Sequence, residues 1–225
     1  MKIILSGATG FIGSAVLQRL ISLPEITSIL VLSRRPLEVK NPKIQTVIVE
    51  DFHNYKQHEL DQLSGAEACI WVLGSAKSGM DVHMDMTMAA AEAFEKMGLG
   101  KEGKDFRFVY TSGAFVERDQ NKSLWLLSEK RKARGTVEDR VMDLEKQYGQ
   151  GWKPFIVRPG FVTVREPTLS PILGNLYVPV GELAAAMVDA AVNGGEKQIL
   201  DNADLRQYGK AALQRKPSNV LEKQN

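Results

Sequence analysis

The chain has 225 residues, 44% of them hydrophobic and 25% charged, the balance of a globular domain that can bury about 70–75% of its unfolded surface without help from disulfides or metal. Its net charge of +2 argues for neither nucleic acid nor a membrane as partner, and a lone cysteine, Cys69, excludes an internal disulfide framework. The opening run Met1-Lys2-Ile3-Ile4-Leu5 stops at Ser6-Gly7, short of a signal-peptide core, and no stretch approaches the ~20 apolar residues of a membrane helix, so the expected location is cytoplasmic.

Short apolar runs alternate with longer helical ones. Lys2–Ser6 reads as a strand, and residues 11–23 as a helix with Ile12, Ala15, Val16 and Leu20 at helical spacing, ended by Pro24. Further strands are expected at Ser28–Ser33 and at residues 44–49, followed by a short helix at 56–63. The wholly apolar run 68–73 suits a strand covered on both faces, with Cys69 as a small buried hydrophobe. Residues 82–97 are Met- and Ala-rich and helical, Phe106–Thr111 is a strand, 124–148 a long charged helix and 154–158 a strand. A helix at 182–193 closes on Gly194-Gly195, and 197–200 reads as a final edge strand. This βαβ succession predicts one α/β domain built on a doubly wound, mostly parallel sheet of Rossmann type. The long loop 160–181, with Pro167, Pro171 and Pro179, is expected to form a small lid, and the polar tail after about 213 to fray.

The segment Gly7-Ala8-Thr9-Gly10-Phe11-Ile12-Gly13 lies between the first strand and the first helix. Glycines there permit a tight turn, let backbone N–H groups approach a pyrophosphate at the helix N-terminus, and bring helix and strand close. Gly7, Thr9, Gly10, Phe11, Ile12 and Gly13 are therefore nucleotide-contact candidates, against the plainer alternative of a turn without ligand. Where dinucleotide enzymes that select NAD place an acid, this chain reads Ser33-Arg34-Arg35-Pro36. Two guanidinium groups suit a 2′-phosphate, which points to NADP(H); the alternative is a solvated basic turn. Asp51 and Phe52 after the third strand, and Leu73, Gly74 and Ser75 after the fourth, are either cofactor contacts or ordinary strand ends.

Four segments resemble the short-chain dehydrogenase/reductase superfamily, in its atypical NmrA-like or epimerase-like branch: the glycine loop, the strand Phe108-Val109-Tyr110-Thr111-Ser112-Gly113-Ala114, the helix segment Arg134-Gly135-Thr136-Val137-Glu138 and the turn Arg158-Pro159-Gly160. The resemblance implies a serine polarising the substrate carbonyl, matched by Ser112, and contacts to the cofactor from Pro159 and Gly160. It also implies a Tyr-x-x-x-Lys pair on the following helix. Here Arg134 stands in the lysine's place and Lys130 in the tyrosine's, and the chain contains no Tyr-x-x-x-Lys. Lys130 and Arg134 share a helix face, so Lys130 either serves as acid or base, which a lysine does when burial lowers its pKa, or belongs to a solvated basic face. A shifted alignment leaves Tyr110 in play, whereas Tyr148 lies at the far end of its helix.

His83 is either a substrate contact or an exposed helix-start residue, and His53 and His58 read as surface. The methionines at 80, 84, 86 and 88 either line an apolar pocket or pack the core. Trp125-Leu126-Leu127 reads as substrate wall or dimer surface, and Trp152 as packing. No cluster has metal-ligand spacing. The expected activity is NADP(H)-dependent reduction of a small carbonyl compound, with no nucleic acid or membrane partner and a homodimer left open. The missing tyrosine keeps two alternatives: a non-catalytic NADP(H) sensor and an epimerase or isomerase relative.

Overall fold

Alternation in the first strand sets the layers. In β1 (Lys2–Ser6), Ile3 and Leu5 point to one side of the sheet and Ile4 to the other, and all three are fully buried, so both faces need covering. The structure, a computed structural model, describes residues 1–74, 80–101, 103–167 and 174–215, with the backbone alone at 80–83 and 175. The other strands are β2 (Ser28–Ser33), β3 (Ile44–Ile48), β4 (Ala68–Trp71), β5 (Phe106–Thr111), β6 (Trp152–Val157), β7 (Phe161–Thr163), β8 (Tyr177–Pro179) and β9 (Ile199–Leu200). The helices are α1 (Phe11–Ser22), α2 (Gln57–Leu63), α3 (Met80–Lys96), α4 (Ser128–Tyr148), α5 (Val180–Asn193) and α6 (Asn202–Gln214).

Seven strands form one sheet in the order β3-β2-β1-β4-β5-β6-β9, every pair parallel. The chain winds outward from β1 in one direction and from β4 in the other, which makes the β1/β4 seam the topological switch point. Helices α1, α5 and α6 cover the face with Ile3, Leu5, Val31 and Ile70; α2, α3 and α4 cover the face with Ile4, Leu30, Trp71 and Phe108. This is the expected doubly wound Rossmann-type domain.

Four details differ from the sequence reading. Helix α4 starts at Ser128 rather than 124, because Leu127 sits at φ 52°, in the left-handed region where a helix cannot propagate. Trp152 opens β6 instead of preceding it; its indole N–H donates to Leu99 O at 2.8 Å and its ring centre lies 4.9 Å from that of Phe106. Within the stretch expected as a lid, β7 and β8 pair in parallel, Phe161 opposite Tyr177, while residues 168–173 lie outside the described ones. Helix α6 was not foreseen. Its signal is the spacing Asp201-x-x-Asp204: Asp201 accepts from the backbone N–H groups of Ala203 and Asp204, and Asp204 accepts from the Asp201 N–H, a reciprocal cap. The helix continues to Gln214, past the point where fraying was expected.

Candidate functional site

The carboxyl ends of β1 and β4 are pinned together by Ser6, a residue the sequence reading passed over. Its buried hydroxyl accepts from Val72 N at 3.0 Å and Leu73 N at 3.1 Å. The three loop glycines then separate by cause. Gly7 has φ +69°, and a Cβ there would lie 2.6 Å from Val72 O. A Cβ on Gly13 would overlap the Gly7 carbonyl. Both are required by the chain's own packing. Gly10 is different: its φ of −80° and ψ of 169° are open to any residue, and its Cβ would meet only Gly7 O, at 3.3 Å. Packing constrains position 10 less than positions 7 and 13, by one tight contact, and the missing side chain leaves room above the start of α1. That helix has no side-chain cap and no acid in its first turn, so its N-terminal donors and positive dipole end face that room.

Beside the loop lies a cleft of about 570 Å³ lined by Ala8, Thr9, Ser33, Arg34, Arg35 and Glu38, among others. Arg34 and Arg35 are exposed, and neither guanidinium has an ion pair or hydrogen bond among the described residues, Glu38 included. Phe11 is half exposed, whereas Ile12 packs against the core. After β3, the exposed Asp51 accepts from the backbone N–H of His53 at 2.9 Å and pairs with its ring, and these contacts, the backbone bond first, hold the carboxyl below its ordinary pKa. The Phe52 ring is only 4% exposed and packs edge-on against Tyr55 and Trp71, so it offers no free face to an adenine. Leu73 is half-buried and Gly74 exposed; Ser75, like the side chain of His83, lies outside the described residues.

The carboxyl end of β5 holds Ser112. Its backbone N–H donates to Val157 O at 2.9 Å, while its buried hydroxyl, like that of Thr111, has no partner among the described residues. A buried unpaired hydroxyl is costly, about 1–3 kcal/mol, a cost that a water or a ligand atom would relieve. Arg134 reaches the next residue: its Nη1 lies 3.1 Å from where a Cβ on Gly113 would stand, so glycine lets the guanidinium lie against the strand end. No ion pair engages Arg134 among the described residues. Sequence spacing had left the placement of Arg134 open; the fold sets it against Gly113, the residue after Ser112.

One turn before Arg134, Lys130 is exposed and without a bonded partner among the described residues. It shares the helix face, yet the burial that would tune a lysine for proton transfer is missing. One turn after Arg134, Glu138 is fully buried and accepts from Arg158 Nε through both carboxylate oxygens, at 3.0 and 3.1 Å, and from Arg158 Nη2. This pair, also not foreseen, fastens α4 to the turn after β6. In that turn the Pro159 carbonyl accepts from Ala114 N at 2.8 Å, and Gly160 N donates to Asn202 Oδ1 at 2.6 Å, so Gly160 is tied to α6. Tyr148 packs on Trp152, with ring centres 5.1 Å apart, and Tyr110 is buried, its pKa pushed up to about 12 by burial, with Glu138 adding to the rise and Arg134 opposing it. Among the described residues no His/Cys/Asp/Glu group could hold a metal.

No protein-family model matches the chain. It is 32% identical over 120 residues, half of its length, to leucinostatins biosynthesis cluster protein T of Purpureocillium lilacinum, and the match spans 42% of that relative, less than half. It is 24% identical over 198 residues, 82% of its length and 76% of the relative's, to protein fmp52-2, mitochondrial, of Neosartorya fischeri. Among solved structures, yeast methylglyoxal/isovaleraldehyde reductase Gre2 complexed with NADPH superposes with a TM-score of 0.64 at 18% identity, over 89% of this chain and 75% of that one. A dTDP-glucose 4,6-dehydratase from Bacillus anthracis in complex with NAD superposes with a TM-score of 0.63 at 13% identity, over 89% and 74%. These likenesses to solved structures show the fold, a doubly wound Rossmann-type α/β domain, in agreement with the fold implied by the resemblance of the glycine loop, the Ser112 strand end and the Arg158-Pro159-Gly160 turn.

Proposed function

We propose that the chain is an NADP(H)-dependent oxidoreductase of carbonyl-reductase type acting on a small organic substrate. The observation that carries this reading is Gly10, the loop glycine that packing constrains least, set at an uncapped helix N-terminus beside two arginines whose guanidinium groups have no partner among the described residues. Those features fit the nucleotide. The backbone of residues 7–13 would hold its pyrophosphate, and Arg34 with Arg35 would hold a 2′-phosphate through charge-assisted bonds. When bound, the nicotinamide supplies the hydride chemistry.

The chain's own part is to bind and polarise the carbonyl. With no partner among the described residues, the Ser112 hydroxyl can donate to a carbonyl oxygen, and the guanidinium of Arg134, set against the next residue, would stabilise negative charge developing there. The Glu138–Arg158 pair holds the helix that carries Arg134. With Lys130 exposed, the proton reaches that oxygen from Ser112 or from solvent. Titration of the protein with NADPH and NADH, followed by NADPH consumption with a panel of ketones, aldehydes and quinones, tests the reading. NADPH should bind more tightly and be oxidised with at least one substrate; no binding of either nucleotide rejects it.

The second reading is a non-catalytic NADP(H) sensor. The absence of a Tyr-x-x-x-Lys pair, with Tyr148 packed on Trp152 at the far end of its helix, favours it. Tight NADPH binding without consumption across the panel is its signature.

A further inference from the structure

Helix α6 spends one face on a single stretch of chain. Asn202, Arg206 and Gly209 lie three or four residues apart and share that face. The Asn202 side chain accepts from Gly160 N at 2.6 Å and donates to Tyr177 O at 2.7 Å. One turn on, the Arg206 guanidinium lies 4.4 Å over the centre of the Tyr177 ring. Its Nη2 donates to Glu166 Oε1 at 2.9 Å and its Nη1 to Gly174 O at 3.0 Å. The Tyr177 hydroxyl donates to the same Glu166 oxygen. Gly209 supplies the base: a Cβ there would lie 2.1 Å from Glu182 O, so α6 packs directly on the first turn of α5. From that turn Glu182 faces Arg206 Nε at 3.6 Å and Lys210 Nζ at 3.9 Å. The Arg206 side chain is only 14% exposed, a burial arginine accepts when it is paired. Its planar fork of donors holds two acceptors in fixed directions, as the point charge of a lysine does not.

The residues held this way belong to the segment that leaves β6, on its described flanks 160–167 and 174–179. The segment begins at the turn whose Pro159 carbonyl accepts from Ala114 N, two residues after Ser112. In a doubly wound domain, substrates lie outside the carboxyl ends of the strands, where this turn stands. We propose that Arg206 is a positioning residue for the substrate side of the site: from a helix behind it, Arg206 fixes both described flanks of the segment, while Asn202 fixes the turn where the segment starts. The proposal rests on the oxidoreductase reading, in which Ser112 meets the substrate. A part in holding the nucleotide fits less well, because the hydrogen bonds of Arg206 among the described residues run to Glu166 and Gly174 and none reaches the glycine loop. A mere fastening of α6 fits less well too: the buried Leu205 and the close approach at Gly209 already dock that helix.

The test compares the whole wild-type chain with Arg206→Met, Arg206→Lys and Glu166→Ala, the last at a side chain that is half exposed and safe for the fold. Backbone amide exchange and steady-state kinetics are the two readouts. In Arg206→Met the amides of residues 161–166 and 174–178 should exchange about tenfold faster or more, while those of β1 and α1 keep their protection. KM for the carbonyl substrate should rise about tenfold with NADPH affinity unchanged. Glu166→Ala, which frees one flank, should shift both readouts the same way by less. Arg206→Lys, which keeps the charge without the fork, should recover KM only in part. Unchanged exchange in the two flanks overturns the proposal, as does full recovery by Arg206→Lys. Protection lost throughout the domain, or a kcat that falls while KM stays fixed, would make Arg206 a stabiliser of the fold and overturn it as well. A wild-type chain that turns over no substrate rejects the oxidoreductase reading itself, and the substrate role of Arg206 with it; that failure shows in the wild type, before any variant is made.

Discussion

The two ends of the site solve opposite problems. Around β1, β2 and β4 the backbone is pinned: Ser6 is doubly bonded, and Gly7 and Gly13 are dictated by neighbouring carbonyls, while Gly10 is held less tightly and the guanidinium groups of Arg34 and Arg35 have no partner among the described residues. Around β5, β6 and α4, hydroxyls lie buried without partners, two residues adopt left-handed backbone, and large apolar side chains face outward. The first region is fixed by its own backbone contacts. The second is held from a distance by the Glu138–Arg158 pair and leaves the hydroxyls of Thr111 and Ser112 without a partner among the described residues.

The sharpest way to break the second region is to remove its fastening. Glu138→Ala leaves Arg158 uncompensated, and breaking such a pair costs about 3–5 kcal/mol; with Arg158 a quarter exposed, the low end of that range is expected. For a chain of this size that lowers the melting temperature by about 6–12 °C. A thermal melt checks this, and a shift under about 2 °C would show that α4 stays docked without the pair.

In the first region the glycines should part company. Gly10→Val should lower nucleotide affinity roughly a hundredfold, through loss of charge-assisted bonds to the pyrophosphate, with the fold intact. Gly13→Ala should instead damage the fold itself, because its Cβ overlaps the Gly7 carbonyl. Calorimetric titration beside circular dichroism distinguishes the two. If Gly10→Val binds normally, the loop is a structural turn.

Arg34→Ala and Arg35→Ala sharpen the comparison further. A charge-assisted phosphate contact is worth about 1.5–3 kcal/mol, so removing either arginine should erode the preference for NADPH over NADH about tenfold or more while NADH binding stays as it was. Equal losses for both nucleotides would move these arginines from the 2′-phosphate to some shared part of the ligand.

The smallest stability effect belongs to Ser112→Ala, which deletes a hydroxyl with no partner and should leave the melting temperature within about 1–2 °C of wild type. Turnover on an established substrate should nonetheless fall about tenfold or more. Lys130→Met, at an exposed position, should slow turnover by less than that; a larger loss would restore Lys130 to the acid–base role that its helix spacing suggested.

Much of this was legible without coordinates. The alternating strands and intervening helices, the Gly-x-x-Gly-x-x-Gly turn, the basic residues after β2 and the absence of Tyr-x-x-x-Lys are all local patterns, readable from residues a few positions apart. Elsewhere local pattern misled or fell silent. The start of α4 depended on a left-handed Leu127 that composition does not announce, α6 was hidden behind a short capping signal, and Phe52 proved to be core rather than adenine contact.

The sequence by itself determined the layered sheet and the glycine turn after β1, because strand and helix periods and glycine turns are set by forces acting within one or two turns of chain. Tertiary structure decided which glycine is least constrained, that Arg134 lies against Gly113, that Glu138 grips Arg158, that Lys130 stays in solvent and that Trp125 stands clear of the core. Each of these is a matter of burial or of a partner supplied by a distant segment. Desolvation and pairing energies exist only once the sheet has brought those segments together.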